Sequence, residues 1–314
     1  LGRDYTPEGP TSARWKNMVR VALGQSKMVK RPIAGFLHIL IYVGFVIINI
    51  EILEIIIDGI FGTHRVFTSF LGSAYVPFIN SFEILAFGVL VSCVLFLTRR
   101  NMMRIKRFWK PEMKGWPTSD ANIILVVEIL LMVAFLTMNA ADTKLMGMPE
   151  SVLADAGLMH YAHGELAQGF VISNWLLPLM PDSPSALHLI ERGTWWFHIL
   201  GILAFLNYLP YSKHFHIILA FPNTFYANLK AKGRFTNLDS VKKEVELMMD
   251  PNQDPFAAPA PEEGAQEVKR FGAKDVTDLN WKQLMDSYSC TECGRCTSEC
   301  PANQTGKMLS PRKI

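Results

Sequence analysis

The chain has little net charge, and none of it is arranged to meet a polyanion. Its 31 Lys and Arg against 28 Asp and Glu leave +3 over 314 residues. The basic residues fall in blocks beside apolar runs instead of one stripe, so nucleic acid is not among the expected partners. Neither G-x-G-x-x-G nor a Walker loop occurs, and no Ser/His/Asp arrangement is present, which leaves nucleotide binding and triad hydrolysis without support. There is no internal repeat. Cysteine is scarce, 5 residues in all, and four of them lie between positions 290 and 300. That crowding excludes a disulfide framework spread over extracellular loops, indicates ligands for one inorganic site, and assigns the segment to the reducing cytoplasm. The first residue is Leu1, with no n-region, short apolar core and cleavage site after it. No signal peptide is read, and the N-terminus is expected to be incomplete.

What the chain has in quantity is apolar length. Half of its residues are hydrophobic and its mean hydropathy is +0.18 although the last third is polar, so the apolar residues are concentrated early. Four runs, Ile33 to Ile60, Val76 to Thr98, Asn122 to Ala141 and Thr194 to Leu209, approach or exceed the ~20 residues that cross a hydrocarbon core of about 30 Å. Basic blocks precede the first run (Arg14, Lys16, Arg20, Lys27, Lys30, Arg31) and follow the second (Arg99, Arg100, Arg104, Lys106, Arg107, Lys110), while the loops after the first and third are poor in Lys and Arg. This pattern predicts four spans with both termini in the cytoplasm, and puts Trp195 and Trp196 in an outer aromatic belt. The segment Met159 to Pro181 is apolar but short and interrupted by Pro178 and Pro181; it is expected as an outer-face helix or re-entrant segment. The expected class is an all-α membrane protein. Its divisions are a basic N-terminal segment (1–32), a transmembrane domain (33–228), an amphipathic helix at 239–249 opened by Asp239 with a Pro/Ala/acid linker at 250–266 (together 229–270), and a small cysteine module (271–314).

All eight histidines lie in or beside the membrane part, where an imidazole is costly and usually functional. His38 near the entry of the first span and His216 past the exit of the fourth reach a similar depth on the inner side, and two neutral imidazoles so placed can supply both axial ligands of a haem b. His198 lies at the outer end of the fourth span, roughly 27 Å from His216 along an unbroken helix. It either ligates a second haem, with a partner among His163, His160, His64 and His188, or hydrogen-bonds within the bundle or to a quinone. Glu51 and Glu54 are one turn apart, about 20 Å beyond His38 by helical rise, and Glu83 returns to that depth. These carboxylates either exchange protons with a quinone or sit in water at the interface. Cys93, alone in the second span, is expected in the core.

Cys290, Cys293, Cys296 and Cys300 followed by Pro301 make C-x2-C-x2-C-x3-C-P, the bacterial ferredoxin spacing, in which three thiolates hold one [4Fe-4S] cluster and the fourth belongs to a second. A zinc site would use two pairs on a longer loop. Cys300 is therefore expected to serve a second cluster, and the natural protein to continue beyond Ile314. The stretch "WWFHILGILAFLNYLPYSKHFHIILAFPN" resembles the last helix of the gamma subunit of respiratory nitrate reductase, a family of di-haem b membrane anchors, with His198 and His216 at its two ligand positions. "GFLHILIYVGF" resembles that family's other ligand helix, with His38 at the inner ligand. "DLNWKQLMDSYSCTECGRCTSECPANQTGKMLSPRKI" is similar to the iron-sulfur module of heterodisulfide reductase D-like proteins.

Joined, the two resemble fused haem b/iron-sulfur membrane oxidoreductases. The resemblance implies a four-helix haem b bundle with a ferredoxin-like module in the bacterial inner membrane, passing electrons between electron-transfer flavoprotein and menaquinone. It also implies a second cluster and a cysteine-rich C-terminal domain, neither of which lies in these residues. The family's outer haem needs a second His about ten residues after His38, where this chain has Ile47, Ile48 and Asn49. One haem is therefore expected at His38/His216, and a second only if the outer loop supplies a ligand. Two other functions fit the same residues: quinol oxidation feeding a cytoplasmic disulfide or sulfur reductase, or a passive electron-carrying anchor.

Overall fold

The computed structural model describes residues 2–162, 166, 169–231, 233–234, 239–252 and 272–314. Most of the expected linker at 250–266 lies outside the described residues. All regular structure among the described residues is helical, with no strand. The chain forms two compact units that interleave in sequence: residues 1–24 with 216–290, and residues 25–215 with 291–314.

The larger unit is built on four long helices: α1 (Pro32–Phe61), α2 (Tyr75–Asn101), α3 (Trp116–Met146) and α4 (Pro184–Tyr208). Three of them contain an apolar run whole and α4 contains the fourth but for Leu209; all four, two of them extended by short adjoining turns, are long and apolar enough to cross a membrane. Proline in the first turn opens α1, α3 and α4, where its missing N–H costs nothing. α1 ends on Gly62 in the left-handed region. Helices neighbouring in sequence pack together, α1 on α2, α2 on α3 and α3 on α4. At Gly44 the α1 backbone comes so near α2 that a Cβ would meet Val89 Cγ2 at 2.5 Å, the close approach that small residues permit between membrane helices. Inside lie Ile48, Ile55, Phe82, Val89, Phe135 and Met138, with Cys93 buried among them as expected. Outside, Phe36, Ile60, Leu200 and Leu206 are exposed, a surface that water penalises and a bilayer accepts.

Among the described residues of the 159–181 segment there is no crossing helix; short turns at Met159–Tyr161 and Ser173–Leu179 stand in its place. Non-helical backbone at this depth needs its donors satisfied from within the protein. Glu83 on α2 does this, accepting from the N–H of Ile172 at 2.9 Å and of Ser173 at 3.2 Å, and from the Ser173 hydroxyl.

In the smaller unit, the N-terminal helix Thr11–Met18 lies against the helix His216–Phe225: Trp15 meets Phe225 edge-on at 5.2 Å, and Asn17 donates to the Thr224 carbonyl at 2.6 Å. The helix Trp281–Tyr288, which leads into the cysteines, joins the same group. The Trp281 indole donates to the Tyr5 carbonyl at 2.8 Å, and Lys282 donates to Asn223 at 2.6 Å. The helix Asp239–Met249 has the bounds expected of it.

Candidate functional site

The cysteine segment begins with the helix Trp281–Tyr288, opened by a reciprocal capping box between Asn280 and Gln283 and followed by Cys290 at the end of the smaller unit. Cys293, Cys296 and Cys300 belong to the larger unit. Glu292 and Gly294 stand at φ +47° and +69°, so the backbone is left-handed on both sides of Cys293, a coiling that lets thiols two residues apart wrap one corner. A Cβ at Gly294 would meet the Arg107 carbonyl at 3.0 Å; dihedral and space both call for glycine. That contact seats the segment on the loop between α2 and α3. Lys110 donates to Asn303, and Arg312 donates to the Glu112 carbonyl. Glu292 receives Lys213 Nζ at 2.8 Å and Arg312 Nη1 at 2.5 Å. Burial pushes the Cys293 thiol up, but Arg295, whose Nε lies 3.0 Å from Sγ, outweighs it and holds the thiol below its usual range. The thiolate is the form that binds metal. Among the described residues no three His, Cys, Asp or Glu side chains are already gathered as metal ligands. The fit to a [4Fe-4S] cluster rests on the donors themselves: four thiols at ferredoxin spacing, one of them made acidic by its neighbour.

His198 on α4 is 1% exposed, and its Nδ1 lies 3.1 Å from the Leu131 carbonyl of α3. A carbonyl only accepts, so Nδ1 carries the hydrogen and Nε2 keeps its lone pair. Nε2 is buried without a hydrogen-bond partner. An imidazole steadied through one N–H by a backbone carbonyl, with the other nitrogen's lone pair facing inward, fits an axial haem ligand. Its expected partner His163 lies outside the described residues. The alternatives His64, His160 and His188 surround Tyr161, with ring centroids 4.8, 4.2 and 5.8 Å from it. Burial, followed by the neighbouring His64, His188 and Arg192, holds His160 below the usual imidazole range. His38 sits in the second turn of α1, whereas His216 opens a helix of the smaller unit, so the expected pair is divided between the two units.

Glu51, Glu54 and Glu83 are 0, 1 and 0% exposed, which corrects the expectation of carboxylates in interfacial water. They gather around Arg65, a residue the sequence did not single out. The loop after α1 turns inward because Asp58 accepts from the Thr63 hydroxyl at 2.6 Å and from the N–H groups of Arg65 and Val66 at 2.8 and 3.2 Å. Arg65, at φ +54°, then points into the bundle. Its Nε donates to Asp142 at 3.0 Å, Nη1 to Glu51 at 3.0 Å, and Nη2 to Asn139 at 2.7 Å. The guanidinium also lies over the Phe170 ring at 5.2 Å. Because a guanidinium does not give up its charge, it enters an apolar bundle only with partners like these. Asp142 accepts in addition from His64 Nε2 at 3.0 Å, Glu54 from Tyr75 at 2.9 Å and from the Phe67 N–H at 2.9 Å, and Glu83 from Asn139 at 3.3 Å. One buried oxygen, Glu51 Oε2, has no partner. The signal that could have found this group is Asn139 and Asp142, polar and one turn apart across the end of the third apolar run, facing a lone Arg in a short loop.

A model of the 4Fe-4S binding domain matches residues 281–302. Fold and site together define a helical chain of membrane-crossing type that carries an iron-sulfur segment. Over 305 residues, 96% of the chain, it is 28% identical to the "Probable iron-sulfur-binding oxidoreductase FadF" of Bacillus subtilis. Over 297 residues, 93% of the chain, it is 23% identical to the EtfAB:quinone oxidoreductase of Syntrophomonas wolfei. The chain spans about a third of the length of these relatives, 36% and 35%. A stretch of 44 residues, 14% of the chain, is 40% identical to 7% of a "Probable membrane-anchored ferredoxin" of Chromohalobacter salexigens. No solved structure matches.

Proposed function

We propose that the chain forms the haem b and iron-sulfur part of a membrane oxidoreductase of the bacterial cytoplasmic membrane. It carries electrons from a cytoplasmic donor, an electron-transfer flavoprotein, to menaquinone. The observation that carries this reading is the seat of the Cys293–Cys300 segment, which packs on the α2–α3 loop within the same compact unit as the four apolar helices. An iron-sulfur ligand set fixed to one end of a membrane bundle suits transfer between a water-soluble carrier and one dissolved in lipid. The relatives support it: one is named for electron-transfer flavoprotein and quinone together, another as an iron-sulfur oxidoreductase.

When bound, the cluster and haem supply one-electron transfer, and the chain's own residues hold and orient them. Cys290, Cys293 and Cys296 hold the first cluster, and Cys300 extends toward a second. His198, steadied by Leu131, would hold a haem iron through Nε2. His38 and His216 are assigned to the inner haem on their sequence positions. The basic loop Arg99–Lys110 and the basic N-terminal segment support a cytoplasmic side for both termini and the cysteines.

A reduced-minus-oxidised spectrum with iron and acid-labile sulfide analysis tests the assignment. A b-type α band that changes in His38→Ala, together with near-stoichiometric sulfide, is the expected result. A purified protein with no such band, or without sulfide, overturns it.

A further inference from the structure

We infer that the cavity where the end of α1 meets the middle of α4 is the site of the quinone ring, and that the polar passage beneath it carries the ring's protons. The site is inferred on the quinone reading above. The cavity holds about 370 Å³ and is lined by Asp58, Thr63, His64, His160, Arg192 and Trp195, with Trp196 at its edge. That volume falls among small-molecule sites, which run about 300–1,000 Å³. Trp195 is packed so close to α1 that a Cβ at Gly59 would meet its ring at 2.8 Å.

The lining selects the ligand class. Arg192 is neutralised by Glu191, both of whose oxygens lie 2.5 Å from guanidinium nitrogens. The Asp58 carboxylate lines the same cavity. A paired arginine beside a carboxylate is a poor match for an anion. What the cavity offers is donors beside indole faces, the Arg192 guanidinium itself lying 5.2 Å from the Trp195 ring. A flat, uncharged ring with carbonyl acceptors fits; a phosphate does not.

Two further observations place redox and proton partners there. His198 is three residues after Trp195 on α4, on the same face and about 5 Å along the axis, so the buried Nε2 assigned to haem lies one turn below the cavity. A second space of about 20 Å³ adjoins the same residues, lined by Glu54, Asp58, His64, Arg65, Asp142 and Glu191. It is large enough for one water, and it links the cavity to the carboxylates around Arg65. In the reaction the ring gains two electrons, delivered one at a time from the flavoprotein donor through the bound redox groups. Each of its two carbonyl oxygens gains a proton through the His64 and Glu54 passage, and the product is the quinol.

The test is photolabelling of the holoprotein in lipid nanodiscs with an azido-naphthoquinone, the labelled peptides mapped by mass spectrometry. Label is expected in 58–64 and 192–196, and about tenfold weaker in Arg192→Gln, which loses a charge-assisted donor, and in Gly59→Ala, which drives Trp195 into the cavity. Label elsewhere, or unchanged in both variants, while menadione still reoxidises the haem, overturns the site and leaves the oxidoreductase reading standing. No label and no reoxidation of haem overturns both.

Discussion

Replacing Arg65 with Met tests whether the buried polar group at the end of the bundle is held by its cation. The substitution keeps much of the side-chain volume and removes the donors that now meet Asp142, Glu51 and Asn139 at 3.0, 3.0 and 2.7 Å. Asp142 is 1% exposed and Glu51 0%, so neither reaches water for compensation. Leaving such a partner buried alone costs about 3–5 kcal/mol, and the contact with Phe170 adds about 0.5–2 kcal/mol. Arg65→Met should therefore lose at least about 3 kcal/mol of unfolding free energy, followed in detergent by circular dichroism and tryptophan fluorescence. Lys106→Met, on the exposed loop, should stay within about 0.5 kcal/mol of the parent. Adding Asp142→Asn to Arg65→Met removes the stranded charge while keeping an acceptor for His64, so the double variant should be less damaged than the sum of the two singles, by about 2 kcal/mol. A loss below about 1 kcal/mol for Arg65→Met, or strictly additive losses, would show that the guanidinium does not hold the cluster together.

The remaining expectations concern the two ends of the bundle. Glu83→Ala strands the N–H groups of Ile172 and Ser173 and should cost about 3 kcal/mol or more, at about 1–3 kcal/mol per buried orphan. Glu83→Gln keeps an acceptor and should cost less than half as much; equal losses in thermal unfolding would argue against this capping role. Gly294→Val meets both the left-handed dihedral and the Arg107 carbonyl, so iron and acid-labile sulfide per protein should fall, whereas Ser298→Ala keeps both. Full sulfide in Gly294→Val would refute the seating of the cysteine loop. Lys213→Met removes the 2.8 Å ion pair from Lys213 to Glu292 and should broaden the cluster's electron paramagnetic resonance signal while leaving the haem band unchanged; an unaltered signal would mean that Lys213 does not position the loop.

Much of the architecture is legible in the sequence because it rests on local pattern. The four apolar runs lie within the four long helices but for Leu209, and Asp239–Met249 has its expected bounds, since apolar length and amphipathic spacing act over neighbouring positions. The cysteine run from Cys290 to Pro301 is legible by spacing alone, and the 4Fe-4S domain match over 281–302 supports it. The Arg65 cluster was not legible, because an inward arginine depends on a positive φ and on Asp58 turning the loop, neither of which has a periodic signature. The burial of Glu51 and Glu54 is hidden in the sequence for the same reason: their partners Arg65, Phe67 and Tyr75 come from the loop between α1 and α2 and from the start of α2. The association of residues 1–24 with 216–290 rests on contacts such as Trp281 to Tyr5, separated by most of the chain. His198 stands out by its residue type, but which of its nitrogens keeps a lone pair depends on the Leu131 carbonyl.

The central claim is that this chain passes electrons between an iron-sulfur site and a membrane quinone through haem b. Anaerobic stopped-flow spectroscopy of the dithionite-reduced protein in nanodiscs, mixed with menadione, tests it most directly. The account predicts a b-type α band that bleaches on mixing and bleaches more slowly in Arg192→Gln. A reduced protein with no α band, or one whose band the quinone leaves unchanged, would contradict it.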